Sequence, residues 1–185
     1  MATKGKSSRP AVEAGQEQVQ NKILLDELIP VMSLLDYPLN LLPQASVNGR
    51  AKYRFDKFGQ RKEILYQDIL TILEMYSSFM ESGYFIILDK RVIDRHGLQE
   101  VQSKVLTKEN IDKILDGSKE ALDLYKQGTP EQQNVIIGML TQKLVESPDS
   151  VDMNIIHEIT RYSKVNIVQN AEESKALFEK KEAVK

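Results

Sequence analysis

The chain has 185 residues, 41% of them hydrophobic and 28% charged, with a formal net charge of −2. That is an ordinary globular composition, and it excludes wholesale disorder and a surface coated in positive charge for nucleic acid. There is no cysteine, which excludes disulfides, thiolate metal sites and cysteine nucleophiles and fits a reducing compartment.

No run approaches the roughly 20 apolar residues of a membrane span, and the N-terminus lacks the apolar core of a secretory signal. The expectation is a protein that is neither secreted nor in a membrane, and that is cytoplasmic or assembled inside a cell, in a virion for example.

Residues 1–16 are mostly Gly, Ser, Lys, Ala and Pro and carry Lys4, Lys6 and Arg9, which predicts a flexible basic arm. Residues 17–49 follow as a helical segment and connector. Val19, Ile23, Leu24, Leu28, Val31, Met32 and Leu35 recur at helical spacing, so 18–35 reads as helix. Pro30 should break it near Ile29, because proline removes a donor and clashes with the preceding turn. The Leu- and Pro-rich stretch 34–49 ends in an Asn48-Gly49 turn signal. Its leucines either pin an irregular connector to the core or offer an anchor to a partner.

Residues 50–106 are the most sharply punctuated part of the chain. Runs 52–55 and 61–66 are rich in aromatic and branched residues and are separated by five residues containing Gly59, which predicts a hairpin with a long or bulged loop. Ile69, Ile72, Leu73, Tyr76 and Met80 share one helical face, and Gly83 suits a left-handed helix terminus. The run 84–88 (YFIIL) reads as a buried strand. Asp89 then caps a short helix that Gly97 closes.

Residues 107–170 read as a bundle of short helices. Thr107 caps a helix that Gly117 stops, and Ser118 precedes one that Gly128 ends. Thr129-Pro130 with Gln132 forms a capping-box start for a helix reaching about Val145. Pro148, Asp149 and Ser150 supply a break and a cap before a helix faced by Val151, Ile155, Ile156, Ile159 and Tyr162. Residues 171–185 form a charged tail, either frayed helix or a peptide that folds on docking. The fold class is α+β and mostly helical: a small β-hairpin plus a third strand packed with helices (a β-β-α-β-α module), followed by the helical bundle.

Three constellations bear on chemistry. Arg50, Lys52, Arg54, Lys57, Arg61 and Lys62 interleave with Tyr53, Phe55, Phe58 and Tyr66. Cations bind phosphate and aromatics stack on bases, so the hairpin 50–66 is a candidate nucleic-acid contact. Plain strand alternation, aromatics inward and cations outward, explains the same pattern without a ligand. Phe58 is the exception, since a hairpin tip seldom reaches its own core, and it points to a partner. Secondly, 155–169 can be drawn as a helix-turn-helix with Arg161, Lys164 and Asn166 toward DNA, although Ser163 stands where such turns usually hold Gly.

The third is catalysis. There is no HExxH, GxSxG or Walker-type loop, and no metal-ligand spacing. His96 and His157 read as structural. Asp89 and Asp94 flank Lys90-Arg91, but Asp89 already serves as a cap. No motif can be matched residue by residue to a known family.

The expectation is therefore a non-enzymatic assembly subunit without cofactor, metal or small-molecule substrate. It would join other protein subunits, as a homo-oligomer or hetero-assembly, through its terminal arms and exposed loops. A virus or phage particle component (capsid, neck or tail) is one concrete version. The alternative is a nucleic-acid-binding accessory or regulatory protein using 50–66.

Overall fold

The computed structural model describes residues 22–43 and 53–182. The basic arm 1–16, the Asn48-Gly49 turn, Arg50 and Lys52 lie outside them. The fold is α+β, with small antiparallel sheets and a helical bundle.

Five strands are present among the described residues: β1 (Leu28–Ser33), β2 (Leu39–Leu41), β3 (Tyr53–Phe55), β4 (Arg61–Leu65) and β5 (Phe85–Ile87). They form a three-stranded sheet ordered β4-β1-β5 and a two-stranded pair β2-β3.

The expected helix over 18–35 is corrected in its described part: 28–33 is the central strand of the larger sheet. The residues LIPVMS form a short apolar run buried on both faces from Val31 to Ser33. Such a run has no periodicity that separates helix from strand. Partners on both sides decide it, Ile29 opposite Ile64 on β4 and Val31 opposite Ile87 on β5. Pro30 fits because its carbonyl accepts from Leu88 N–H at 2.9 Å, just past the end of β5. Its missing donor faces that same side, where no ladder bond is needed.

The expected hairpin is also corrected. β3 and β4 do not pair with each other: Phe55 and Tyr53 lie opposite Leu39 and Leu41, while β4 pairs with β1. The connector leucines were therefore needed inside, and Leu34, Leu35, Leu39 and Leu41 are all buried. They pin the connector to the core.

The helices are α1 (Tyr66–Met75), α2 (Ser77–Glu81), α3 (Lys90–His96), α4 (Gln99–Ser103), α5 (Lys108–Leu115), α6 (Ala121–Gln127), α7 (Pro130–Glu146), α8 (Met153–Ser163) and α9 (Ile167–Glu182). The single helix expected across 69–80 is broken at Tyr76. Its hydroxyl accepts from Leu42 N–H at 3.2 Å, and its ring packs on Phe79 at 5.3 Å. The side chain serves the end of β2, and the backbone leaves the helical region there (φ −124°, ψ 27°).

Most caps are as the sequence indicates. Asp89, Thr107 and Thr129 each accept a backbone N–H of their helix. Gly83, Gly97 and Gly117 have positive φ. Three details differ. α6 begins at Ala121 rather than behind a Ser118 cap, and the Ser118 hydroxyl is buried without a partner. Gly128 ends α6 in extended conformation, and a Cβ there would meet Leu106 Cδ1 at 2.8 Å. The cap of α8 is Asp152, beyond the 148–150 break expected to supply it.

One core joins the strands to the bundle. It runs from Ile29, Val31 and Phe85 through Ile69 and Ile72 to Ile111, Ile136, Ile156 and Ile167. The Thr129 hydroxyl donates to the Ser82 carbonyl at 2.7 Å. Gln132, 2% exposed, donates to the Leu106 carbonyl at 3.0 Å and accepts its N–H at 2.9 Å. Residues 107–170 therefore pack directly on the 50–106 module.

Candidate docking surfaces and the dispersed basic residues

Of the seven residues singled out in 50–66, Arg50 and Lys52 lie outside the described residues. Arg54 is exposed and pairs with Asp56, just past the end of β3, at 2.6 Å. Arg61 is exposed and Lys62 half-buried on β4, a strand of the other sheet. Lys57 is exposed at the edge of a cavity of about 380 Å³ that also holds Asp36, Lys143 and Glu146.

Phe58 departs from expectation. It is half-buried against the core, and the Lys108 ammonium sits 5.2 Å from its ring centroid. The 56–60 loop folds onto the start of α5, so the tip reaches its own core. Tyr53, an interleaved aromatic, donates its hydroxyl to buried Asp68 at 2.7 Å. Of the described members, Arg54 lies on one sheet, Arg61 and Lys62 on the other, and Lys57 and Phe58 in the loop between, with the Phe58 ring against the core.

The segment 155–169 does form helix, short link and helix. Lys164, at φ +64°, ends α8 where glycine is the usual residue. The side-chain oxygen of Asn166 accepts the Gln169 N–H at 3.1 Å and so caps α9. α9 then runs along α7 with Glu172 and Glu173 on its exposed side.

The histidines differ in setting. His157 is exposed on α8. His96 Nε2 and the Tyr66 hydroxyl share a 2.8 Å hydrogen bond, with the Arg95 guanidinium 5.9 Å from the Tyr66 ring. Burial, and then the charge of Arg95, hold His96 below its ordinary value, which suits a neutral ring accepting from tyrosine. Asp89 is held below the usual carboxylate range, first by hydrogen bonding from Arg91, which donates to it at 2.7 Å and also reaches Glu27. Asp94 accepts from Gln99 at 2.8 Å. Asp89 is a cap and clamp in this arrangement.

Among the described residues, exposed leucines mark two surfaces. One is a leucine platform at the start of β1, where Leu24, Leu25 and Leu28 are 53%, 59% and 55% exposed. Leu28 lies opposite Leu65, and the Leu25 carbonyl accepts the Gln67 N–H, so the platform sits at the corner between β4 and α1. The other is a groove of about 1030 Å³ between α7 and α9, lined from Asn134 to Glu146 on one helix and from Asn170 to Glu179 on the other, with Leu177, 60% exposed, on its lip. The sequence pattern missed the platform because its leucines fitted a helical stripe. Leu177 was visible as one of few apolar residues in a charged tail.

Among the described residues, no group of three or more His, Asp or Glu is placed to hold a metal ion, and no helix is long and apolar enough to cross a membrane. The described residues thus form an α+β fold with small antiparallel sheets and a helical bundle. No protein-family model, no curated protein and no solved structure matches it.

Proposed function

We propose that the chain is a non-enzymatic assembly subunit that joins other protein subunits through apolar surface, with a virus or phage particle component as the concrete version of that role. The leucine platform carries the reading. Leu24, Leu25 and Leu28 expose more than half of their surface within five residues. Clustered exposed leucines favour burial by about 25 cal/mol for each Å² removed from water. Charged side chains along 171–182 and the cysteine-free composition suit assembly in a reducing interior.

The test is the mass of tagged full-length protein in extracts of its native source, set against purified protein, by sedimentation. The expected result is a heavier species in the extract that Leu25→Glu with Leu28→Glu releases. A monomer mass for both wild-type samples would overturn the reading. A heavy species that nuclease dissolves, and that Arg54→Ala with Arg61→Ala weakens with a shallower salt dependence, would instead support the nucleic-acid reading.

A further inference from the structure

The bend after β1 and the first half of α7 border a cleft of about 340 Å³ that two carboxylates, Asp36 and Glu131, line without a lysine or arginine. Backbone pairing places its walls. The Leu34 N–H donates to the Tyr84 carbonyl at 2.9 Å, which brings the 36–37 bend beside the residue that precedes β5. On the other side Glu131, Asn134, Val135 and Gly138 recur at three- and four-residue steps and share one face of α7.

The polar groups of this cleft are unspent. Asp36, Tyr37, Tyr84, Glu131 and Asn134 all line it, and among the described residues none of the five has an ion-pair or side-chain hydrogen-bond partner. The Asp36 carboxylate receives only its own backbone N–H. Burial raises the pKa of Asp36 and of Tyr37, with the neighbouring Tyr84 and Asp36 adding to the effect at Tyr37. No cation offsets that burial. Lys57 and Lys143 share a different cavity with Asp36, and the Lys143 ammonium is held by the Leu115 carbonyl at 2.8 Å and by Asp116 at 3.3 Å.

Gly138 keeps the cleft open. A Cβ there would stand 3.5 Å from Asp36 Oδ2, an ordinary contact, and alanine is the better helix former. What glycine supplies is room beside the carboxylate. The surroundings of that room select a ligand. Carboxylates accept charge-assisted bonds from N–H groups, and tyrosine rings attract ammonium and guanidinium ions. Val135 offers apolar surface to an alkyl stem.

We infer that the cleft between Asp36-Tyr37, Tyr84 and the first half of α7 binds an ammonium or guanidinium group, carried by a free alkylamine or by a lysine or arginine side chain. The inference goes beyond the assembly reading, because the purified chain alone should bind.

Amide NMR shifts of the full chain, titrated with spermidine and separately with N-acetyl-arginine methylamide, test it. The expected result is saturable shifts confined to residues 36–37, Tyr84 and 131–138. Asp36→Asn should weaken the affinity by about tenfold or more, the worth of one charged hydrogen bond. Gly138→Ala keeps every charge and should weaken it too, whereas Glu158→Gln, an exposed carboxylate on α8, should leave it unchanged. Melting curves confirm that each variant is folded. Saturation by spermidine identifies a free amine as the natural class of ligand, and saturation by the arginine amide alone identifies a side chain. Shifts with neither probe, shifts that magnesium chloride at equal ionic strength reproduces, or an affinity that survives Asp36→Asn would each overturn the inference. None of these outcomes touches the extract experiment, which decides the assembly reading separately.

Discussion

The residue on which most of the molecule converges is Gln132. Its position three after Thr129 suggests a capping box, in which its side chain would reach back to the Thr129 N–H. The Thr129 hydroxyl does accept the Gln132 N–H at 3.1 Å. The Gln132 amide instead turns inward and pairs with both backbone groups of Leu106, as a neighbouring strand would. Gly83 leaves it the room, since a Cβ there would stand 2.6 Å from Gln132 Cδ, and its φ of +80° disfavours other residues as well. Gln132→Leu keeps the bulk but strands a buried N–H and a buried carbonyl at about 1–3 kcal/mol each, so the expected loss is about 2–6 kcal/mol. Thermal melting would register this as a fall of roughly 5–15 °C. A change under about 2 °C would mean that water replaces the amide. Gly83→Ala should also destabilise, but by less in a Gln132→Ala background, where only the backbone strain remains. Gln102 repeats the device at the sheet edge. With its amide turned so that the oxygen faces the Ile87 N–H, it accepts that N–H at 3.1 Å and donates to the Ile87 carbonyl at 3.2 Å, closing the free side of β5.

At the scale of elements, helix ends were the most legible features, because a cap is a local event. Asp89, Thr107, Gly117 and Thr129 act within three or four residues of themselves, and their roles follow from the sequence. Elements decided by distant partners were not legible. β1 is a strand because β4 and β5 flank it, and α1 ends at Tyr76 because Leu42 holds the tyrosine hydroxyl from 34 residues away. The candidate surfaces divide in the same way. The basic residues stood out in the sequence, and Arg54 and Arg61 prove to lie on strands of different sheets, whereas the leucine platform exists only once the sheet has formed. One helix end breaks the local rule. Lys164 takes φ +64° at the C-terminus of α8, where a side chain costs about 1 kcal/mol and glycine almost nothing. Lys164→Gly should therefore raise stability by about 0.5–1 kcal/mol, read as a higher midpoint in urea at unchanged slope. A lower midpoint would show that the Lys164 side chain does more than occupy the position.

For the whole molecule, the dependence of stability on pH sums contributions of opposite sign. His96 is held below its ordinary 6.5, so its contribution is complete above that value and is lost as pH falls through the folded value. Asp89, held below 3.8, keeps its contribution down to that value and loses it at lower pH. Asp36 works the other way. It follows β1 in the bend that lies against α7, close enough that a Cβ on Gly138 would be 3.5 Å from its Oδ2. Burial raises its pKa above 3.8, partly offset by a backbone hydrogen bond. A raised carboxylate favours the fold below 3.8, and that support is lost as pH rises through the folded value. At neutral pH, then, Asp36 is a charge the fold pays for. Asp36→Asn keeps the shape and removes the charge, so the variant should melt higher than wild type at pH 7. Its advantage should shrink on acidification and vanish near pH 3.5, where wild-type Asp36 carries its proton. Paired melting curves from pH 7 to pH 3.5 read this directly. An advantage absent at neutral pH, or one that grows with acid, would place the Asp36 carboxylate in a favourable interaction instead, with Lys57 and Lys143, which line the same cavity, the first partners to test.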